Sequence, residues 1–133
     1  MIIFESSNSV IRQLVEADVS ERWLGWVCDD ELVKYSEQRF NDHNKESLIH
    51  FVRSFDPPFR FSLGVFLKSS SDHVGNIGVR FDANNLTADL AILMAPSRNR
   101  PLGSATDAWA RTLRFCFEEL GCRKVTAGTI AVN

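Results

Sequence analysis

The spacing of apolar positions divides this chain into elements before any single residue is considered. Val10 to Val15, with Ile11-Arg-Gln-Leu14 mixing apolar and polar positions, predicts an opening strand. Trp23, Trp26 and Val27 fall at helical spacing behind Asp18, a predicted N-cap, with Glu21 completing a capping box. A short turn or helix and a loop follow over Asp30 to Phe40. A second helix begins at Asn44, carries Leu48, Phe51, Val52 and Phe55 on one side, and is stopped by Pro57-Pro58. Phe59, Phe61, Leu63, Val65 and Leu67 then alternate with period two, which predicts a strand. Ser69 to Asp72 is a turn, and His73 to Phe81 is the return strand of a hairpin. After a turn at Asp82 to Asn85, Thr87 to Met94 predicts a further strand. A long helix from Gly103 to Leu120 should bury Ala105, Trp109, Leu113, Cys116, Phe117 and Leu120, with Gly121 as its cap. Lys124 to Val132 is the last strand.

That order predicts an α+β fold, a mixed α/β sandwich whose sheet is mostly antiparallel and flanked by helices. Its one parallel pair joins the last strand to Thr87–Met94, because a helical crossover connects them. No repeat, linker or low-complexity segment interrupts 1–133, so a single domain is expected. A cleft is expected beside the parallel pair, where strand ends meet a helix N-terminus.

One stretch there carries candidate chemistry. Met94-Ala-Pro-Ser-Arg-Asn-Arg-Pro-Leu-Gly103 is a strand end running into a basic, glycine-containing turn and then a helix. Unpartnered N–H groups in a helix's first turn, together with its dipole, favour an anion. Leu102, Gly103, Ser104 and Ala105 could offer backbone donors, and Arg98 or Arg100 a charge-assisted contact. A solvated basic turn is the alternative.

Composition narrows the field. With 133 residues, 44% of them hydrophobic and 24% charged, the chain has the makings of an ordinary globular domain. A net charge of -2 argues against nucleic acid as the main partner, though not against one phosphorylated ligand. No apolar run approaches a membrane span, and Met1-Ile-Ile-Phe-Glu5 lacks signal-peptide features, so a cytoplasmic location is expected. Cys28, Cys116 and Cys122 have no CxxC spacing and read as reduced thiols. His43, His50 and His73 share no metal-ligand spacing, so no metal is expected. Phe59, Phe61 and Phe66 have no accompanying basic stripe, and no serine sits in a nucleophile elbow.

Arg100-Pro-Leu-Gly103-Ser-Ala105 matches the R/Q-x-x-G-x-G/A signature of the GNAT acyltransferases. Its continuation, Phe115-Cys-Phe-Glu-Glu-Leu-Gly-Cys-Arg-Lys-Val125, resembles the helix and strand that follow the signature in that family, and Ala131-Val-Asn133 resembles its A-x-N. The opening half, with Ile11-Arg-Gln-Leu14, Trp23-Leu-Gly-Trp26 and Asp29-Asp-Glu-Leu-Val-Lys-Tyr-Ser-Glu-Gln-Arg39, resembles the branch holding ribosomal-protein and amino-sugar acetyltransferases. Pro101 and Leu102 depart from the family's usual glycine and basic residue, and proline removes one N–H donor. Members usually continue with another helix and a strand hairpin, which the resemblance implies are lacking here.

The resemblance implies an acetyl-CoA-dependent N-acetyltransferase acting by direct attack of an amine on the thioester. The acceptor would be a small molecule, an amino sugar or a protein N-terminus. Leu93, Met94 and Ala95 would offer strand backbone to pantetheine, and Asn133 a side-chain amide. Asp89 is the carboxylate candidate for general base, with its face left open by the alternation. A backbone N–H near Leu93 or Met94 would stabilise the thioester oxyanion. The family's usual tyrosine acid lies on the helix beyond this chain, which leaves Tyr35, the only tyrosine, as candidate. Tyr35, Ser36, Gln38 and Arg39 stand where similar proteins line the acceptor side. Two other classes stay open: a CoA- or nucleotide-binding module without catalysis, and a structural fragment that dimerises through an exposed final strand of Val125, Thr129 and Val132.

Overall fold

The computed structural model of the chain describes residues 1–34 and 43–127. Among these, a six-stranded sheet runs in chain order: β1 (Ile3–Glu5), β2 (Ser9–Gln13), β3 (Arg60–Leu67), β4 (His73–Asp82), β5 (Thr87–Met94) and β6 (Lys124–Thr126). Every neighbouring pair is antiparallel except β5 and β6, which are parallel. The helices are α1 (Glu21–Val27), α2 (Asp30–Val33), α3 (Lys45–Arg53) and α4 (Ser104–Glu118). The expected mixed fold with one parallel pair is therefore present.

Two apolar clusters cover the two faces of the sheet. On one face α4 buries Ala108, Phe115 and Cys116 against Leu63, Val65, Ile77, Val79, Ala88, Leu90 and Met94. On the other, Trp23, Trp26 and Val27 of α1 and Leu48 and Val52 of α3 close over Leu14, Leu93 and Ala95. Successive side chains of a strand point to opposite faces. Leu93 and Ala95 thus assign Asp89 and Ala91 to the α1/α3 face as well, where both are exposed.

Several local expectations need correction. β1 was not anticipated, because a three-residue edge strand leaves almost no periodic signal. Asp18 does not cap α1. Its carboxylate accepts from both Nη atoms of Arg12, at 2.9 and 2.7 Å, and from the Val15 N–H at 2.8 Å. Ser20 caps α1 instead, accepting from the Trp23 N–H at 3.1 Å. Asn44 caps α3 as expected, accepting from the Ser47 N–H at 2.8 Å. In α4 the fully buried stripe runs through Ser104, Ala108, Thr112, Phe115 and Cys116, the expected Ala105, Trp109, Leu113 and Leu120 pack partly buried against the same cluster, and Phe117 is 47% exposed. Two polar residues are satisfied inside the stripe. Thr112 Oγ1 donates to the Ala108 carbonyl at 2.8 Å, and Ser104 Oγ accepts from Arg100.

A polar group also lies buried beneath α1. With the Asn76 amide oriented so that its oxygen accepts from the Trp23 indole at 3.0 Å, its nitrogen donates to His73 Nε2 at 2.6 Å. Phe66 stacks on the imidazole with ring centroids 4.7 Å apart, and Trp26 meets it edge-on at 4.9 Å. Burial lowers the His73 pKa and prevails over the nearby Asp18 carboxylate. His73 therefore acts as a neutral acceptor that fixes the start of β4 opposite the end of β5.

Candidate active site at the edge of β5

Among the described residues, parallel pairing between β5 and β6 runs through Thr87↔Lys124, Ala88↔Val125 and Asp89↔Thr126. β5 continues to Met94, still paired to β4 on its other edge. The Ala95 N–H donates to the Val74 carbonyl at 2.8 Å, so odd-numbered residues here direct their backbone groups to β4. Those of Ile92 and Met94 therefore face the other edge, where no described strand pairs with them. Ile92 is 40% exposed between buried Leu90 and Met94.

Past Met94 the chain turns through Ser97–Asn99, a single 3-10 turn, and reaches Pro101. Pro101 to Ser104 form a tight turn in which the Ser104 N–H donates to the Pro101 carbonyl at 3.2 Å. Gly103, with φ 81 and ψ 0, holds the left-handed position that a type II turn needs. A Cβ there would touch nothing within 4 Å, so glycine is required by the backbone and not by crowding. The turn leaves the N–H groups of Leu102, Gly103, Ala105 and Thr106 without partners among the described residues. They gather at the positive end of the 15-residue helix α4.

This changes the roles of the expected cradle residues. The Ser104 N–H is spent on closing the turn, and Thr106, which had not been singled out, takes its place as a donor. Ala95 offers no backbone group to a ligand, because its carbonyl accepts from Arg100 Nε at 2.8 Å and its N–H is used by Val74. Arg100 is a brace. Its Nη1 also donates to Ser104 Oγ at 3.1 Å, tying the strand end to the helix start. Arg98 is exposed and points no bond at the loop. The first-turn acid of α4, Asp107, is turned away toward the β1–β2 connection, accepting from Ser6 Oγ at 2.6 Å and the Asn8 N–H at 3.2 Å. Its charge is thereby held by donors of its own and does not face the cradle.

Other singled-out residues are placed as follows. Asp89 is exposed on the α1/α3 face, accepting from Thr126 Oγ1 at 2.8 Å. It stands roughly 16 Å along β5 from Met94 at ~3.3 Å per residue. Leu93 packs into the α1/α3 cluster, with its backbone toward β4. Tyr35, Ser36, Gln38, Arg39 and Asn133 lie outside the described residues, as does the strand-sharing edge beyond Thr126. Among the described residues no group of His, Cys, Asp and Glu side chains could hold a metal ion. No described helix is long and apolar enough to cross a membrane.

The signature Arg100-Pro-Leu-Gly103-Ser-Ala105 thus lies where a strand leads, through a turn with unpartnered N–H groups, into the start of a helix. Residues 9–133 match the model of the acetyltransferase (GNAT) domain. The chain belongs to the GNAT acetyltransferase family. Among solved structures it resembles a GNAT-family acetyltransferase from Bacillus anthracis, with a TM-score of 0.84 and 20% identity over 99% of this chain and 76% of that one. A candidate ribosomal-protein-serine acetyltransferase from Vibrio cholerae matches with a TM-score of 0.77 and 15% identity, over 99% of this chain and 76% of that one. A chimera built on the spermidine N-acetyltransferase of Vibrio cholerae matches with a TM-score of 0.74 and 17% identity, over 91% and 70%. At such identities the likeness is one of fold. No curated protein matches the chain. Membership of the family supports acetyl transfer as the general activity and acetyl-CoA as the donor that such domains use in general.

Proposed function

We propose that this GNAT domain moves an acetyl group from acetyl-CoA to an amine, by direct attack of the amine on the thioester. The observation that carries this reading is the turn that follows β5. Among the described residues the outward backbone groups of Ile92 and Met94 meet no strand, and beyond them the unpartnered N–H groups of Leu102, Gly103, Ala105 and Thr106 gather at the start of α4. The residues present fit the donor. Leu102, Gly103, Ala105 and Thr106 would bind pyrophosphate through backbone N–H groups. The outward-facing backbone of Ile92 and Met94 would accept the amides of pantetheine as an added strand does. Acetyl-CoA, when bound, supplies an activated acyl group on a good leaving thiolate.

The chain's own residues then have defined tasks. An alkyl ammonium must lose a proton before it can attack, and Asp89, exposed on the sheet face beside β6, is the base or the anchor of the water that removes it. An N–H on the outward edge, from Ile92 or Met94, stabilises charge developing on the thioester oxygen. On family resemblance, Tyr35, Ser36, Gln38 and Arg39 belong to the acceptor side, Tyr35 as proton donor to the thiolate, and Asn133 to the pantetheine side. Isothermal titration with acetyl-CoA and with CoA tests the reading. Saturable binding of both, followed by thiol release when an amine is added, is expected. Absence of binding by either ligand would falsify it.

A further inference from the structure

We infer that the charged cleft at the start of β5 holds an anionic group of the acceptor, so that the favoured acceptor is a small amine carrying a carboxylate or a phosphate. This rests on the acetyl-transfer reading above and specifies its substrate class. The cleft measures about 340 Å³, at the lower end of ligand pockets. Pairing register builds its floor. Arg80↔Asp89 and Asp89↔Thr126 form one rung across β4, β5 and β6, and Asp82↔Thr87 with Thr87↔Lys124 forms the next. Alternation puts these six side chains on the sheet face shared with Asp89, beyond the area that α1 and α3 cover.

The cleft is a place where opposite charges stand close without pairing. Arg80 lies directly opposite Asp89, yet neither it nor Lys124 makes a hydrogen bond or ion pair among the described residues. Asp82 is already occupied by its own turn, accepting from the Asn84 and Asn85 N–H groups at 2.9 and 3.1 Å and from Asn85 Nδ2 at 2.8 Å. What remains for a ligand, among the described residues, is one exposed carboxylate, Asp89, with an unpaired cation on each neighbouring strand. An ammonium would go to Asp89, the carboxylate to which the reading above assigns the acceptor amine. A second positive group on the same molecule would meet Arg80 or Lys124 and be repelled, whereas an anionic group would complete both. The bifunctional match selects an amino acid-like or amino-phosphate acceptor and disfavours a polyamine.

Amide chemical-shift titrations of the full chain separate this inference from the reading beneath it. The probes are L-alanine against L-alaninamide and O-phosphoethanolamine against ethanolamine, with spermidine as the dicationic control. Expected are saturable shifts at Thr87, Asp89 and Thr126 from an anionic probe, at least tenfold tighter than from its neutral-tailed partner. Whether alanine or phosphoethanolamine binds more tightly decides between carboxylate and phosphate. The double variant Arg80→Gln with Lys124→Gln should remove that preference while leaving acetyl-CoA shifts at Leu102 to Thr106 unchanged. The inference is overturned by no shift from either anionic probe, by equal or tighter binding of alaninamide, ethanolamine or spermidine, or by a preference that survives the double variant. Failure of acetyl-CoA to shift Leu102 to Thr106 sinks the acetyl-transfer reading instead, and is read in a separate titration.

Discussion

The two ends of β5 build their sites from different materials. At its C-terminal end the cradle is made almost wholly of backbone: the free N–H groups of Leu102, Gly103, Ala105 and Thr106, and the outward edge of Ile92 and Met94. Side chains there only hold the shape, as Arg100 does by bonding the Ala95 carbonyl and Ser104 Oγ. At the N-terminal end the backbone is paired on both sides and the cleft is made of side chains, with Arg80, Asp89, Lys124 and Thr126 arranged by register. A backbone site suits a donor whose chemistry does not vary. A side-chain site can change its acceptor by substitution without disturbing the sheet. On the function proposed above, the strand would separate the fixed half of a transferase from the adjustable half.

The change expected to matter most destroys both ends together. Leu90 sits between them, 2% exposed in the core under α4. Leu90→Ala should cost about 2–5 kcal/mol of stability through lost transfer energy and a residual cavity. In urea unfolding the midpoint should drop with little change in slope. An unchanged midpoint would mean that β5 is not the common support of the two sites.

Changes confined to the donor end should come next and leave the other end alone. Arg100→Ala removes two charge-assisted bonds, each of a kind worth ~1.5–3 kcal/mol, and frees the Ala95 carbonyl. Acetyl-CoA affinity should fall at least tenfold by titration, with the shifts at Thr87 and Thr126 unaltered. Gly103→Ala forces an alanine into the left-handed region at a cost of roughly 1–2 kcal/mol, with no steric clash to add to it. It should weaken acetyl-CoA about five- to thirtyfold on that scale. Equal loss of amine binding in either variant would erase the separation between the ends.

The same division explains what could be read before the structure was known. The turn before α4 was legible because its backbone geometry needs glycine and tolerates proline at fixed places, and Pro101 and Gly103 carry that need in the sequence. The detail was not: turn closure consumes the Ser104 N–H and releases that of Thr106, which only hydrogen-bond accounting reveals. Asp89 was noticed but its face was not, since alternation has two phases and the exposed pair Ala91-Ile92 interrupts the alternating burial of β5. Arg80 and Lys124 carried no signal at all. They lie on separate strands and meet Asp89 only through pairing register. Asp18 was misassigned as a cap because Asp18 and Ser20 both stand before a suitable helix start. Arg12, distant from the helix in register but close in space, decides the matter.

A smaller effect, driven by pH, should act on one end of the strand before the other. His73 is buried and its pKa is lowered, so the unfolded chain binds its proton more readily than the folded one. The stabilising contribution is fully present above the unfolded value of ~6.5. It declines as pH falls below that value toward the folded pKa. Protonation also removes the acceptor that Nε2 offers to Asn76. Because Val74 carries the Ala95 N–H, the donor end should loosen first. Hydrogen exchange corrected for intrinsic rates should show Ala95 losing protection between pH 7.5 and 5.5, in a window around ~6.5, while Thr126 does not. His73→Gln should flatten that dependence.

The finest distinction lies between the two arginines of the loop, which the sequence presents as equivalent. Arg98 is exposed in the 3-10 turn and bonds to nothing in the cradle, whereas Arg100 is half-buried and bonded twice. Removing Arg98 deletes a solvated charge that can help a pyrophosphate only through water, an interaction worth ~0.2–1 kcal/mol and sensitive to salt. Arg98→Ala should therefore weaken acetyl-CoA by no more than about fivefold at low salt, and the deficit should shrink as sodium chloride is raised. The deficit of Arg100→Ala should persist at high salt, because it arises from a misplaced backbone and not from a missing field. If the two variants behave alike across a salt series, the cradle holds its ligand with side-chain charge, and the contrast between a backbone-built and a side-chain-built end of β5 fails.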